Sequence, residues 1–183
     1  MGRIVLCRHG ATENNALGQF LSHTDPPLSE GGRRQCENLR DDFRRFGFTR
    51  CYVSPMRRCR ETREIAAPEV PFTVEPALRE MSFGEWEGKT LDWLEAHAPE
   101  HVVARRRDPV AFRPPGGESF DDVARRLRTL LDVLRSGGPT LVIAHRGTLA
   151  VLERLLRGLP LRSQRVDSLE PGAFHVVDAP VHR

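Results

Sequence analysis

The stretch VLCRHGATEN, residues 5–14, decides the fold class. Its apolar half, with Ile4 before it, reads as a strand ending at Cys7, and the chain leaves that strand through Arg8, His9 and Gly10. An unbroken apolar run of this length, with no alternation, marks a strand buried on both faces. Polar residues end every strand, so the triplet alone is compatible with a structural role. The same exit recurs downstream, where LVIA (141–144) runs into His145, Arg146 and Gly147. Open α/β sheets bind ligands outside the carboxyl ends of their strands. Two such ends, each carrying an imidazole beside a guanidinium, point to one shared crevice.

Strands and helices alternate around these two. RCYVS (50–54) reads as a strand, as do the short FTV (72–74) and the last, AFHVVDA (173–179). Residues 10–28 read as a polar loop. Ser29 opens a helix to about Phe46, with Cys36, Leu39, Phe43 and Phe46 at helical spacing and Gly47 as its stop. Ser54 followed by Pro55 reads as an N-cap with proline at the first helical position, opening a helix to Ala66 or Ala67. Ser119 with Asp122 resembles a capping box ahead of a helix over 120–135, and Thr148–Arg157 reads as another helix. Residues 78–112 break the rhythm: they hold Trp86, Trp93 and two short helices divided by Pro99, and read as a cap. The pattern predicts an α/β fold, a three-layer α/β/α sandwich with a mainly parallel sheet and helices on both faces, as one domain over 1–183.

Composition narrows the class. The chain has 183 residues, enough for one domain with a full core, and is 39% hydrophobic and 29% charged, a globular rather than a disordered balance. No apolar run approaches the roughly 20 residues that cross a bilayer. The segment before Arg8 is too short for a signal peptide, and Leu6 stands where the myristoylation pattern wants Ser or Thr, so a cytoplasmic protein is expected. Net charge is only +3, and Lys89 is the sole lysine. The RRR run at 105–107 has no interleaved aromatics and reads as a solvated helix face; no nucleic-acid or membrane partner is expected. Cys7, Cys36, Cys51 and Cys59 form no CxxC pair and read as buried reduced thiols, with a catalytic thiol as the lesser alternative. His97 and His101 are four apart, but Pro99 lies between them and the HExxH order is absent, so no metal site is expected.

A third strand end adds to the crevice. SPMRRCRET puts Arg57 and Arg58 in the first turn of a helix, where the helix dipole disfavours cations. An anion held by the helix N-terminus and an arginine would explain that placement. Four segments, RHGATENN, SPMRRCRET, LREMSFGEWEG and VIAHRGTLAVL, resemble in order and spacing the histidine phosphatase superfamily, which contains phosphoglycerate mutases and many small phosphatases. The resemblance spans roughly residues 3–178. It implies that His9 is the nucleophile, Arg8 and Arg58 bind the phosphate, and Asn15 touches the phosphoryl group. It further implies that Glu80 is the proton donor and His145 the second histidine, while Arg57 falls on a variable position.

The residue types suit the implied chemistry. Phosphoryl transfer spreads negative charge over three equatorial oxygens. Two guanidinium groups and a protonated His145 would stabilise it without metal or cofactor, a neutral His9 would attack, and a crowded Glu80 near Met81 and Phe83 would protonate the leaving group. The chain departs from the family pattern at Leu21-Ser22, at Arg146 and at Cys59. Arg146 is expected to point outward and Cys59 to serve packing. About 35 residues separate Glu80 from PGGES, and the chain ends soon after its last strand. The resemblance then implies a short cap and no C-terminal tail, which favours hydrolysis of a small phosphomonoester. Mutase-type phosphoryl transfer and a non-catalytic phosphate-recognition module are the alternatives.

Overall fold

A computed structural model describes residues 3–162 and 169–178. Its strands are β1 (Arg3–Arg8), β2 (Arg50–Val53), β3 (Phe72–Val74), β4 (Thr140–Ala144) and β5 (Phe174–Asp178). Its helices are α1 (Glu13–Ala16), α2 (Glu30–Phe46), α3 (Arg57–Ala66), α4 (Leu91–His97), α5 (Pro99–Arg107), α6 (Phe120–Leu127), α7 (Leu131–Arg135) and α8 (Arg146–Arg157). The strands form one sheet in the order β3-β2-β4-β1-β5, parallel except for β5, which pairs antiparallel with β1. Ala179, the expected end of the last strand, lies outside the described residues.

Both faces of the sheet are covered, as the unbroken apolar strands require. Val5 and Cys7 of β1 with Leu141 and Ile143 of β4 face α2 and α3, where Cys36, Leu39, Phe43 and Cys59 complete one core layer. Ile4, Leu6, Val142 and Ala144 face the other way, onto Val123 and Leu127 of α6 and Leu149, Leu152 and Leu156 of α8. The expected three-layer α/β/α sandwich is therefore present. A smaller cluster of Trp86, Leu94 and Val102, with Phe20, Phe83 and Phe112 packed on it, makes the core of the cap.

Four boundaries differ from expectation. The loop over 10–28 contains α1, a single turn set by a capping box between Thr12 and Asn15, too short to show periodicity. Helix α3 starts at Arg57 with Met56, not Ser54, in the N-cap position. Helix α8 starts at Arg146, two residues early, with His145 as its N-cap. The helix over 120–135 is interrupted by a tight turn at Arg128–Leu130 that separates α6 from α7. Ser29 and the Ser119–Asp122 capping box sit where the sequence puts them.

Candidate active site

Topology makes the crevice. The connection after β1 leads to α2 on one face, and that after β4 leads to α8 on the other, so the two chains part between adjacent parallel strands. Arg8 pairs with Ala144 in register, and the His9 amide donates to the Ala144 carbonyl at 3.1 Å, which sets His9 and His145 side by side. Their rings meet edge to face with centroids 5.2 Å apart. Gly10 lets the chain leave β1 flat against α2: a Cβ there would stand 2.7 Å from both Cys36 Sγ and the Gly32 carbonyl. Its amide donates to Thr62 Oγ1 on α3 at 3.0 Å, which ties the loop down.

His9 is buried, and its Nδ1 lies 2.8 Å from the Gly10 carbonyl. A carbonyl only accepts, so Nδ1 carries the proton and Nε2 holds the lone pair. Burial first, then Arg58 and Arg8, lower the His9 pKa to about 3, against a weaker opposing effect of the Gly10 hydrogen bond. The ring is therefore a neutral imidazole at physiological pH. Arg8 donates from Nη1 to the Leu169 carbonyl at 2.9 Å. Arg58, 2% exposed, donates from Nη1 to the Thr24 carbonyl at 3.0 Å and pairs with Asp25 at 3.3 Å.

Two expectations need correction here. An anion does sit at the α3 N-terminus, but it belongs to the chain: Asp25 accepts from the Arg57 amide at 2.8 and 2.7 Å. And His145 is not protonated. It is wholly buried, and burial, then Arg58, hold its pKa well below the ordinary histidine value. Its Nε2 lies 2.8 Å from Ser54 Oγ, which explains why Ser54 does not cap α3. The Cys59 thiol packs 3.5 Å from the same ring, and burial pushes its pKa up, so it stands as an inert neighbour.

Glu80 reaches the start of α8. Its Oε1 accepts from the amides of Met81 (2.9 Å) and Thr148 (3.1 Å), and its Oε2 from the Gly147 amide at 3.3 Å. The Thr148 hydroxyl lies 3.2 Å from Oε1 and 2.6 Å from the Arg79 carbonyl. A hydroxyl has one proton, and the shorter bond to the carbonyl claims it. Asn15 accepts from the Thr12 amide and hydroxyl through Oδ1, which leaves its Nδ2 donors for other partners. Beside Glu80 opens a cleft of about 260 Å³ lined by Ser22, His23, Asp25, Pro55, Met56 and Arg79. Ser22 is buried and fixed by Glu87, whose carboxylate takes its hydroxyl at 2.6 Å.

The structure thus brings His9, His145, Arg8, Arg58 and Glu80 together at the ends of β1 and β4 and the start of α3. Asn15 enters through α1, with no hydrogen bond to the other five among the described residues. Arg57 and Arg146 are exposed, the latter as expected, and Arg57 pairs with Glu61 at 2.7 Å. Sequence reasoning missed three supporting contacts: Ser54 on His145, Asp25 on Arg58, and Thr148 with Glu80. Only Ser54 left a signal, a serine before proline, and that signal reads first as a helix cap. No group of three or more His, Cys, Asp or Glu with a metal-binding arrangement occurs among the described residues. No helix there is long and apolar enough to cross a membrane.

The fold and site define an α/β protein whose crevice brings two neutral histidines together with two buried arginines. The chain belongs to the histidine phosphatase superfamily, branch 1, whose family model it matches over residues 4–180, and it is an enzyme of the histidine phosphatase type. It is 31% identical to the adenosylcobalamin/alpha-ribazole phosphatase of Salmonella typhimurium, over 96% of this chain and 90% of that one. It is 32% identical to a protein of Erwinia tasmaniensis named "Probable phosphoglycerate mutase GpmB", over 90% and 79% of the two chains. Among solved structures, a mycobacterial glucosyl-3-phosphoglycerate phosphatase in complex with VO3 superposes with a TM-score of 0.87 at 28% identity, covering 97% of this chain and 91% of that one.

Proposed function

We propose that this chain is a metal-independent phosphomonoesterase of the cytoplasm that hydrolyses a small phosphorylated metabolite through a phosphohistidine on His9. The observation that carries the reading is the His9 tautomer: Nδ1 is committed to the Gly10 carbonyl, so an uncharged Nε2 lone pair is presented between two arginines. Attack by Nε2 forms the P–N bond as the ester P–O bond breaks. Glu80 gives the leaving oxygen its proton, then as a carboxylate takes one from the water that cleaves the P–N bond. Inorganic phosphate leaves and His9 returns to its neutral form. Arg8, Arg58 and the Asn15 amide hold the phosphoryl oxygens, supplying as fixed donors the charge that the transition state needs. The relatives named as phosphatases and four buried free thiols support this reading.

Assay on p-nitrophenyl phosphate after exhaustive EDTA treatment tests it. Turnover that persists in EDTA and vanishes in His9→Ala is the expected result. Activity lost to EDTA and restored by Mg²⁺ or Zn²⁺ would contradict it.

A further inference from the structure

We propose that Glu87, on the cap, is a positioning residue for Arg58. It clamps the loop over 22–25, whose carbonyl and carboxylate aim the Arg58 guanidinium at the phosphoryl group. The inference rests on the phosphomonoesterase reading and adds to it a residue that acts through another side chain.

Glu87 follows the tight turn Gly84–Trp86 and is half-buried. Other half-buried glutamates meet arginines, Glu118 at Arg126 and Glu61 at Arg57. Glu87 makes no such ion pair among the described residues. Its carboxylate instead collects its donors from one short stretch of loop: the Ser22 amide at 3.0 and 2.9 Å, the Ser22 hydroxyl at 2.6 Å and the Thr24 amide at 2.9 Å. Burial pushes its pKa up, but the hydrogen bonds from Ser22 and Thr24 outweigh burial and hold the carboxyl below its ordinary value. Glu87 is therefore charged at physiological pH, and a charged acceptor makes stronger hydrogen bonds than a neutral one. The same stretch is fastened to the cap on either side of the carboxylate. Phe20 donates its amide to the Lys89 carbonyl at 2.9 Å and accepts from the Gly88 amide at 2.8 Å, while the Phe83 amide donates to Ser22 Oγ at 3.2 Å.

The other side of this loop meets Arg58. Thr24 gives its amide to Glu87 and its carbonyl to Arg58, whose Nη1 donates to it at 3.0 Å and to Asp25 at 3.3 Å. Asp25 also accepts from the Arg57 amide at 2.8 and 2.7 Å, which fixes the far end of the loop to α3. Among the described residues Nη1 is the one Arg58 nitrogen that makes a hydrogen bond, so Nε and Nη2 are left for phosphoryl oxygens. A guanidinium is a rigid planar fork, and holding one corner sets the direction of the others. Residues 21–29 form no helix or strand of their own, so the shape of the loop is set by what its backbone groups bond to. Glu87 holds it from the cap and α3 holds it at Asp25. Without Glu87 the Thr24 carbonyl is free to shift, and a misplacement of about 1 Å at a reacting group costs up to about 10²-fold in rate.

A double-variant cycle of Glu87→Ala with Arg58→Ala tests the role, read by steady-state kinetics on p-nitrophenyl phosphate and by calorimetric titration with inorganic phosphate. With Arg58 present, Glu87→Ala should lower kcat/KM about 10- to 100-fold and weaken phosphate binding. In the Arg58→Ala background the same substitution should change either quantity by less than about threefold, because the group it positions is gone. Glu87→Gln keeps the shape and one acceptor oxygen, and should recover most of the loss. Ser22→Ala removes the hydroxyl contact and leaves both amides, so a loss of about 3- to 10-fold is expected, again with Arg58 present. That variant carries the cycle if Glu87→Ala fails to fold. Equal losses in the two backgrounds, or no loss with Arg58 present, would overturn the positioning role and leave the phosphatase reading standing. Wild-type protein that hydrolyses no p-nitrophenyl phosphate would overturn that reading instead, and the calorimetric cycle then decides by itself whether Glu87 positions Arg58 for phosphate.

Discussion

The arginine pair at the start of α3 shows how much one position matters. Arg57 and Arg58 are adjacent in sequence, yet one side chain is exposed beside Glu61 and the other is 2% exposed between Asp25 and the two histidines. A guanidinium that contributes to a transition state is worth about 3 kcal/mol, by comparison with a single oxyanion-hole donor. Arg58→Ala should therefore lower kcat/KM by about 10²-fold or more on any phosphomonoester, and Arg57→Ala by less than tenfold. Steady-state kinetics on purified variants decides it, and the reverse order would place the phosphate at the other arginine. This difference was legible before the fold was known only through family resemblance. Composition treats the two arginines alike, and burial is what separates them.

The start of α8 couples the cap to the sheet through Glu80. A Cβ on Gly147 would stand 2.9 Å from Glu80 Oε1, so Gly147→Ala must push the carboxyl away from the amides that hold it. Glu80→Gln keeps the shape but removes the proton and sets an NH₂ against those donors. Both variants should lose about 10²–10⁴ in kcat/KM on an alkyl phosphate, the range of general acid catalysis. Both should lose much less on p-nitrophenyl phosphate, whose leaving group departs without a proton. Equal losses on the two substrates would reduce Glu80 to a residue that orders the loop through backbone amides. The sequence made strands and long helices legible because burial on both faces and helical spacing write themselves into apolar patterns. It hid α1, which is one turn long, and the true start of α3, because a serine hydroxyl serves a cap or an imidazole equally well. It also hid Asp25 and Thr148, whose roles depend on partners 33 and 68 residues away.

At the scale of the whole molecule, two buried neutral histidines make stability depend on pH. His9 has its pKa lowered to about 3 and His145 has its own pushed well below the ordinary value, whereas both titrate near 6.5 in the unfolded chain. Between these limits the unfolded state binds more protons, so unfolding free energy rises with pH up to about 6.5 and levels off for these groups above it. The stability present above that point is lost as pH falls towards the folded values. Urea denaturation from pH 4 to 8 should show this rise, and the double variant His9→Gln, His145→Gln should flatten it. The same neutrality is what makes His9 a nucleophile, and trapping its phosphorylated form tests the account most directly. Wild-type enzyme mixed with ³²P-labelled substrate and quenched in alkaline detergent within milliseconds should carry label that survives alkali, is lost in acid, and maps to the peptide containing His9. His9→Ala should carry none. Label that survives acid, or that persists in the variant, would contradict the account by assigning the chemistry to another nucleophile.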